Sequence, residues 1–432
     1  MFDKTDGKGW TVVEAAMNER QYITYRKIKA AVHSLVYYLC WIFPINHHMI
    51  CVCTFEGKGG FGCNPKYLVQ ELHRQDPGIR FVWLVNEPER YKFPDYIKVV
   101  PNTLWNRAYW LSRSKVWIDN YRKPLGTVKR RGQYYLNVNH FTVGIKCTGL
   151  NRGDGFSQMA YLVNRNDSSM IDDLVIDSDW CEEESPRGML YDGPYLKTGA
   201  PRCDVLYGDR AKAREKFRHE HNMSEDAKIV MFAPTFREGA REGKRYVFSE
   251  IWSIDFKRLL DTLGKKFGGS WYLCVRVHPQ LAPSHEEYQN SEVSDRIIDE
   301  SQAEDMYEIL AGMDAYITDY SSAVFEAGFA HIPAFLYMDD LKQYRHDRGS
   351  LMWDFDTEDL SHVKNNRKFT PSFDVELPFT IAQDNDRLEL NILEFNQKKY
   401  DQRLNEFHHQ IGLTFNGNAS KSISKRILQL LG

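Results

Sequence analysis

Two series of short apolar runs, each run followed by a helix-like stretch, constrain the fold of this chain more than any other feature of its sequence. The first series begins near residue 49 with MICVCTF, and the second begins after residue 195 with KIVMFAPTF. Apolar runs that alternate with helices are typical of βαβ units in a parallel sheet. The sequence therefore predicts an α/β fold with two Rossmann-like domains, and ligands at the carboxyl ends of their strands.

At 432 residues the chain is long enough for two such domains. Residues 165–199 are rich in Asp, Glu, Ser and Gly, which favours a connection between the domains there. We predict an N-terminal arm over 1–48, a first domain over 49–195, a second domain over 196–398 and C-terminal helices over 399–432. Two Rossmann-like domains that face a cleft form the GT-B arrangement, with chemistry expected at that cleft.

The N-terminal arm joins a basic front half to an aromatic and apolar rear half over residues 20–46. Its apolar part, interrupted at His33, is shorter than the roughly 18 residues expected of a membrane-spanning helix. It could lie in the membrane interface with its Lys and Arg side chains toward anionic headgroups. A helix packed on the first domain is the alternative. The first 20 residues do not resemble a secretory signal, so we expect a peripheral protein at the cytoplasmic face of the membrane.

Net charge and cysteine usage exclude several classes of ligand. A net charge of -3 provides no chain-wide field for nucleic acid, so an anion must be held in a local pocket. The eight cysteines are scattered, without a CxxC pair or histidines at zinc-finger spacing. We therefore expect a reduced compartment, no tightly held metal, no cofactor and a small phosphorylated ligand.

In the second domain, two predicted strands end in residues suited to phosphate. Strand WYLCVRVHP ends at His278, which could donate to a phosphate oxygen or transfer a proton, or could simply close a turn. Thr235 and Arg237 follow KIVMFAPTF, and the planar guanidinium matches phosphate oxygens. A surface arginine paired with a nearby glutamate is the alternative for Arg237.

Two further strand ends complete the candidate cleft. Strand AYITDYS ends in Asp319, Ser321 and Ser322, where capping of a following helix by Asp319 or Ser321 would form an anion cradle. An ordinary helix cap is the alternative. His140 ends strand QYYLNVN of the first domain, at the place that His278 occupies in the second. If the domains close, one histidine could deprotonate an attacking hydroxyl while the other stabilises phosphate charge, although a core histidine remains the alternative.

A series of longer motifs carries a family resemblance. They are GKGGFGCNPKYLVQEL (57–72), TGAPRCDVLY (198–207), FAPTFRE (232–238), RVHP (276–279), ITDYSSAVFEAGFAHIPAFLYMDDLKQYRHDRG (317–349), ELPF (376–379) and FNGNAS (415–420). In this order they resemble the CDP-glycerol glycerophosphotransferase family of teichoic acid and capsular polymer synthesis. The resemblance extends over nearly all of the chain from residue 49 onwards.

The resemblance implies a GT-B fold in which the second domain binds CDP-glycerol and the first binds the acceptor. Glycerol phosphate would pass to a hydroxyl of a lipid-linked or polymeric glycan, with release of CMP. The family's catalytic histidine in a Trp-His-Gly motif corresponds to His140, although this sequence reads Asn139-His140-Phe141. Lys146 corresponds to the lysine that follows that motif.

The remaining site residues also follow from the resemblance. Those expected to hold or adjoin the phosphates are Arg237, His278, Ser321 and Ser322, with Thr235 and Asp319 nearby. Arg348 would shape the cleft. The donor could instead be CDP-ribitol or a UDP-sugar, or the chain could be a weakly catalytic nucleotide-binding partner in polymer assembly. Expected partners are CDP-glycerol, the glycan acceptor and a membrane surface, without nucleic acid, and a homo-oligomer is left open.

Overall fold

The computed structural model describes residues 18–140, 142–235, 237–241, 244–248, 253–277 and 292–432. Its first element is helix α1 (Glu19–Cys40), which begins at a capping box between Asn18 and Gln21. Val36, Tyr37 and Cys40 of this helix are buried in the core of the first domain. The rear half of the arm is therefore anchored on the first domain.

The first domain is built on a seven-stranded sheet whose strands are all parallel. In chain order its strands are β1 (Asn46–Cys53), β2 (Arg80–Val85), β3 (Ile97–Pro101), β4 (Ser114–Asp119), β5 (Tyr134–Asn137), β6 (Asp173–Ile176) and β7 (Tyr195–Lys197). The helices between them are α2 (Cys63–Gln75), α3 (Leu104–Arg113), α4 (Gln158–Ser168) and α5 (Asp179–Gly188). The order β3-β2-β1-β4-β5-β6-β7 reverses between β1 and β4, so a crevice is expected beyond the carboxyl ends of these strands.

The second domain contains a six-stranded parallel sheet and a two-stranded hairpin. The strands from here to the end of the chain are β8 (Lys228–Phe232), the hairpin strands β9 (Arg237–Arg241) and β10 (Lys244–Phe248), β11 (Trp271–Val275), β12 (Ile297–Asp299), β13 (Ala315–Thr318), β14 (Ala334–Tyr337) and β15 (Thr380–Ala382). The helices are α6 (Arg210–Glu220), α7 (Phe256–Phe267), α8 (Met306–Leu310), α9 (Ala323–Phe329), α10 (Leu341–Arg348), α11 (Asn385–Glu394), α12 (Gln397–Gln410) and α13 (Ala419–Leu431).

The order β12-β11-β8-β13-β14-β15 reverses between β8 and β13. Thr235 and Asp319 follow these two strands, so the second sheet also presents its reversal point to the cleft. The two sheets confirm the predicted α/β fold of two Rossmann-like domains in the GT-B arrangement.

The last two helices pack on different domains. Tyr400 of α12 is buried and its hydroxyl donates to the carbonyl of Ile332 in the second domain, at 2.9 Å. Helix α13 returns to the first domain, where Ile423 and Ile427 are buried in the cluster around β1 and α2. The C-terminal segment therefore ties the two domains together.

A continuous apolar core also crosses from one domain to the other. Trp180 of α5 stacks on Trp353 of the second domain, with ring centroids 5.4 Å apart. Both side chains are fully buried, and the Trp353 indole donates to the carbonyl of Gly144 at 3.0 Å. Burial of two such large aromatic side chains stabilises the contact between the domains.

Buried polar contacts hold the segment that connects the two sheets against the second domain. Arg202 lies in the 3₁₀ segment Pro201–Tyr207 and donates through Nη2 and Nε to Oε1 of Glu326, at 2.5 and 3.2 Å. The Tyr307 hydroxyl donates to the other carboxylate oxygen of Glu326. Arg202 and Glu326 are 4% and 0% exposed, so water could not solvate either charge if its partner were removed.

Replacing Arg202 by leucine should destabilise the fold, because the Glu326 carboxylate would stay buried without a cation. We expect the free energy of unfolding to fall by about 3–5 kcal/mol, measured by urea denaturation followed through tryptophan fluorescence. The control is Arg74→Leu, which breaks an exposed pair with Glu71 and should leave the unfolding midpoint almost unchanged. Equal midpoints for the two variants would contradict a structural role for the buried pair.

Candidate active site

A cavity of about 210 Å³ lies between the two domains. The first domain contributes His140, Thr142, Gly144, Ile145, Lys146, Thr148, Trp180, Cys181 and Glu184, and the second contributes Ser321, Ser322 and Met352. The cavity thus brings together four residues predicted from the sequence, two from each domain. His278 lies outside the described residues, as does Phe141.

The backbone before His140 is held in an unusual conformation. Asn139 has a φ of 52°, in the left-handed region, and its amide donates to Oδ1 of Asn137 at 2.8 Å. Asn64, at the start of α2, donates to the carbonyls of Val138 and Asn139 at 2.8 and 2.9 Å. Asparagine tolerates this region better than most residues, and the side-chain hydrogen bonds fix the turn that presents His140 to the cavity.

The hydrogen bonding of His140 defines which ring nitrogen can accept a proton. Its Nδ1 lies 2.8 Å from the carbonyl oxygen of Asn120. Because a carbonyl only accepts, Nδ1 carries the hydrogen and the lone pair is on Nε2. The rings of Phe55 and Tyr121 enclose the imidazole, with centroids at 5.5 and 5.4 Å. Burial, together with the positive charge of Arg202, lowers the pKa of His140 to about 4, so the ring is neutral at physiological pH.

Lys146 is a cation of the first domain that lines the cavity next to the second domain. Its backbone pairs with Leu351 in an antiparallel bridge, which holds it against the second domain. Burial, and then the repulsion of Arg348 and Arg237, lower the pKa of Lys146 to about 8, against the attraction of Asp319. Within the described part of the chain its amine makes no hydrogen bond or ion pair. An anion in the cavity would supply the missing partner.

Arg237 begins the hairpin of the second domain and is clamped between two carboxylates. Its Nε and Nη2 donate to Asp340 at 2.6 and 3.0 Å, and its Nη1 donates to Asp319 at 2.8 Å. Nη1 also lies 2.8 Å from the carbonyl and 3.1 Å from the hydroxyl of Thr235. The described partners of Arg237 are aspartates distant in sequence. The side chains of Glu238 and Glu242, the partners in the alternative interpretation, lie outside the described residues.

The segment Asp319–Ser322 corrects one prediction about capping. Ser322, not Asp319 or Ser321, occupies the N-cap of α9, and its side chain makes no capping hydrogen bond. Asp319 is engaged elsewhere, because its Oδ1 accepts from the amide of Thr235 at 2.9 Å. The Ser321 hydroxyl accepts from the amide of Ala323 at 3.3 Å. Ser321 and Ser322 nevertheless both line the cavity, as a phosphate-binding role requires.

Arg348 lies at the end of α10, beside a pair of stacked tyrosines. Its guanidinium carbon is 5.9 Å from the ring centre of Tyr344, which stacks on Tyr320 at 3.6 Å. The guanidinium of Arg237 also faces both rings, at 5.2 Å from Tyr320 and 5.0 Å from Tyr344. The two arginines are therefore placed by the same aromatic pair.

The sequence did not point to three polar residues of the cavity wall, Thr142, Thr148 and Glu184. Glu184 belongs to the acidic run CEEESPRG, whose composition favoured a connection between domains. The two threonines follow no strand pattern that would mark them. Among the described residues there is no group of three or more His, Cys, Asp or Glu side chains that could hold a metal ion.

Comparison with known proteins adds to this geometry. Residues 35–368 match the sequence profile of the family described as CDP-glycerol:poly(glycerophosphate) glycerophosphotransferase. A teichoic acid poly(glycerol phosphate) polymerase of Staphylococcus epidermidis is 26% identical over 387 residues, which cover 87% of this chain and 50% of that protein. A protein with the same name from Bacillus spizizenii is 22% identical over 423 residues, or 95% of this chain and 100% of that protein.

A solved structure of the wall teichoic acid polymerase TagF has the same fold. It superimposes with a TM-score of 0.74 at 24% identity, covering 96% of this chain and 99% of that one. The chain thus spans about half the length of the first relative and the full length of the second. Because the family profile covers more than half of its residues, the chain belongs to the CDP-glycerol:poly(glycerophosphate) glycerophosphotransferase family.

Proposed function

We propose that this chain transfers glycerol phosphate from CDP-glycerol to a hydroxyl of a lipid-linked or polymeric cell-surface glycan, with release of CMP. One observation carries the proposal beyond family membership. His140, with its lone pair on Nε2, shares a cavity between the domains with Lys146 and the hydroxyls of Ser321 and Ser322. A base on the first domain and phosphate-binding groups from both domains, all lining one cavity, suit transfer between two separately bound substrates.

In the proposed reaction an acceptor hydroxyl attacks the phosphorus that bears the glycerol. The bond from the acceptor oxygen to phosphorus forms, the bond from phosphorus to the CMP oxygen breaks, and the hydroxyl proton passes to Nε2 of His140. Lys146, Ser321 and Ser322 would neutralise or hydrogen-bond the phosphate oxygens, as phosphoryl transfer demands. His278 remains a proposed second group for the phosphate charge, on the basis of sequence alone.

The clamp on Arg237 limits how it could bind a phosphate. One N–H of Nη2 has no partner among the described residues and could reach a phosphate oxygen. Arg237 also neutralises Asp319 and Asp340, whose charges would otherwise repel the donor. Through both effects Arg237 should increase the affinity for the donor.

Substitutions should separate catalysis from donor binding. We expect His140→Ala to lower the rate of CMP release by about 10²–10⁴ and to leave the affinity for CDP-glycerol nearly unchanged. Arg237→Ala should lower both the rate of CMP release and the affinity for CDP-glycerol. The rate is measured as CMP release and the affinity by calorimetric titration with CDP-glycerol.

A double variant identifies the cause of the Arg237 effect. If the charge of Asp340, left without its arginine partner, repels the donor, Arg237→Ala combined with Asp340→Ala should recover part of the lost affinity. If Arg237 binds the phosphate directly, the affinity should stay low. Wild-type affinity in the single Arg237→Ala variant would refute a phosphate role.

The pKa values of the cleft predict how the reaction depends on pH. His140, with a pKa of about 4, is neutral and able to accept a proton at any pH well above that value. Lys146, with a pKa of about 8, loses its positive charge as the pH rises through that value. We therefore expect kcat/KM to be highest between about pH 5 and 7.5 and to fall on both sides.

The fall of kcat/KM at alkaline pH, the alkaline limb of the profile, tests the role of Lys146. The acid limb is less specific, because the cytosine ring of the donor also takes up a proton in acid. In Lys146→Arg the side chain stays protonated, so the alkaline limb should move to about pH 9 or higher. The profile is measured as kcat/KM for CMP release. An alkaline limb that is unchanged in this variant would show that another group titrates.

The exposed face of α1 supports a peripheral membrane site, which we propose at the cytoplasmic face. Ile42, just beyond the end of the helix, is 79% exposed. Within the helix, Ile28, Val32, Leu35 and Leu39 follow one another at intervals of four and three residues and are 54–62% exposed. This spacing places them on one side of the helix. In the described part of the chain no helix has the length and apolarity to cross a membrane.

Basic residues accompany this apolar face, since Arg20 and Lys27 of the same helix are exposed. Such a helix is expected to lie in the interface of an anionic bilayer, and its spacing would also suit pairing with a second copy.

Charged substitutions on this face should abolish membrane binding. We expect the wild-type protein to co-sediment with vesicles that contain an anionic lipid, and Val32→Glu combined with Leu39→Glu to remain in the supernatant. These positions are exposed, so the fold should survive, unlike a deletion that removes buried Tyr37. The control is Leu390→Glu, an exposed leucine of the second domain. Co-sedimentation of the double variant would place the contact elsewhere, and a change in oligomeric state would indicate a second copy as partner.

A further inference from the structure

The mechanism above leaves one carboxylate of the cavity without a role. Glu184 of α5 lines the cavity together with Thr148 and is 7% exposed. The Thr148 hydroxyl donates to its Oε1 at 2.7 Å, and the Asn151 amide donates to the same atom at 3.4 Å. Its Oε2 accepts no hydrogen bond and joins no ion pair from the residues that the structure describes. Glu184 therefore lines the cavity with a carboxylate that has one oxygen without a hydrogen-bond partner among the described residues.

The position of this carboxylate is fixed from several sides. Arg187 donates to the Asn151 side chain at 2.8 Å, which orients the amide that Glu184 accepts from. A Cβ atom at Gly188 would lie 2.0 Å from Oε1 and 2.3 Å from Oε2 of Glu184, so the carboxylate packs directly on a bare glycine. Such packing leaves the carboxylate little freedom, as a binding group requires.

A second polar group in the same cavity also lacks a partner. Thr142 is 4% exposed and lines the cavity, and its hydroxyl has no hydrogen-bond partner in the described structure. A buried hydroxyl without a partner is unfavourable, so a ligand that pairs with it binds more tightly. Thr142 and Glu184 together offer a donor and two acceptors.

The cavity therefore has two kinds of lining with different chemistry. Lys146, Ser321 and Ser322 provide a positive charge and hydroxyl donors, which suit a phosphate. Glu184 would repel a phosphate, whereas a carboxylate accepts strongly from a neutral hydroxyl. A molecule that carries both a phosphate and free hydroxyls matches the two linings at once.

We propose that Glu184 and Thr142 form a polyol subsite, which hydrogen-bonds the free hydroxyls of a glyceryl group while the adjoining groups hold its phosphate. The inference rests on the proposed transfer reaction and names the part of the substrate that this corner of the cavity recognises. The glyceryl group is either that of CDP-glycerol or the terminal one of the acceptor, since both present the same hydroxyls.

Removing one hydroxyl from the substrate tests this subsite directly. The donor arm compares CDP-glycerol with the CDP ester of 1,3-propanediol, which lacks the secondary hydroxyl but keeps the primary one. The acceptor arm keeps CDP-glycerol and compares acceptors that end in glycerol phosphate or in 1,3-propanediol phosphate. In each arm the ratio of kcat/KM values for the two substrates is measured in the wild type and in Glu184→Gln.

We expect the wild type to prefer the glyceryl substrate by about 10- to 100-fold in one arm, and Glu184→Gln to lose most of that preference. The arm in which the preference falls identifies the donor or the acceptor as the occupant. A purely structural role for Glu184 would lower both rates equally and leave the ratio unchanged, and an unchanged ratio in both arms overturns the proposal.

Two more variants make the result secure. Thr142→Val keeps the side-chain shape and should reduce the same preference, which tests the subsite even if Glu184→Gln folds poorly. Glu215→Gln, on the exposed surface of α6, should leave every ratio at its wild-type value. If the wild type releases no CMP with either acceptor, the transfer proposal fails. The preference is then measured as calorimetric affinity for the two donors and for the two acceptors, so the subsite is judged separately.

Discussion

Arg202 lies where the chain passes from the first sheet to the second, and its backbone and side chain each bind a different domain. Its amide donates to Oδ1 of Asn64 at 3.0 Å, and its guanidinium binds Glu326 of helix α9. The same Asn64 donates to the two carbonyls that precede His140. A buried ion pair gains little net energy over apolar packing, but it fixes geometry. Here it fixes the turn of His140 relative to the helix that follows Ser321.

The positive charge of Arg202 also acts electrostatically on His140. After burial, it is the largest cause that lowers the pKa of His140, to about 4. Lys146, with a pKa of about 8, adds to this effect from inside the cavity. An anionic donor would offset both cations and so raise the proton affinity of His140. In the proposed reaction His140 would then be a stronger base when a phosphate occupies the cleft, which would couple donor binding to proton transfer from the acceptor.

The sequence predicted the two sheets well, because long apolar runs such as KIVMFAPTF form strands through local preference and burial. It also identified His140, Lys146, Ser321 and Ser322, which the structure brings into one cavity. His140, Ser321 and Ser322 follow strand ends, which the topology of parallel sheets brings together, whereas Lys146 was predicted from the family resemblance.

What the sequence missed depends on contacts that local pattern does not contain. The carboxylates that clamp Arg237 lie 82 and 103 positions away along the chain. Glu184 looked like part of a solvated connection because its neighbours are acidic, yet it lies on α5, whose Trp180 is buried against Trp353. A polar composition describes the average of a segment, whereas a site depends on the one side chain that faces inward.

The cavity has one lining suited to phosphate and one suited to a polyol. This division bears on how such an enzyme could transfer glycerol phosphate to its acceptor and not to water. A neutral His140 with a low pKa is a weak base toward a water molecule that is not held in line with the phosphorus. A polyol hydroxyl anchored through its neighbouring hydroxyls is held in place, and positioning alone contributes several kcal/mol to such reactions. Selection of the nucleophile would then follow from where Glu184 and Thr142 place a glyceryl group relative to Nε2 of His140. In the proposed reaction the groups that recognise the polyol and the group that takes its proton would act as one unit.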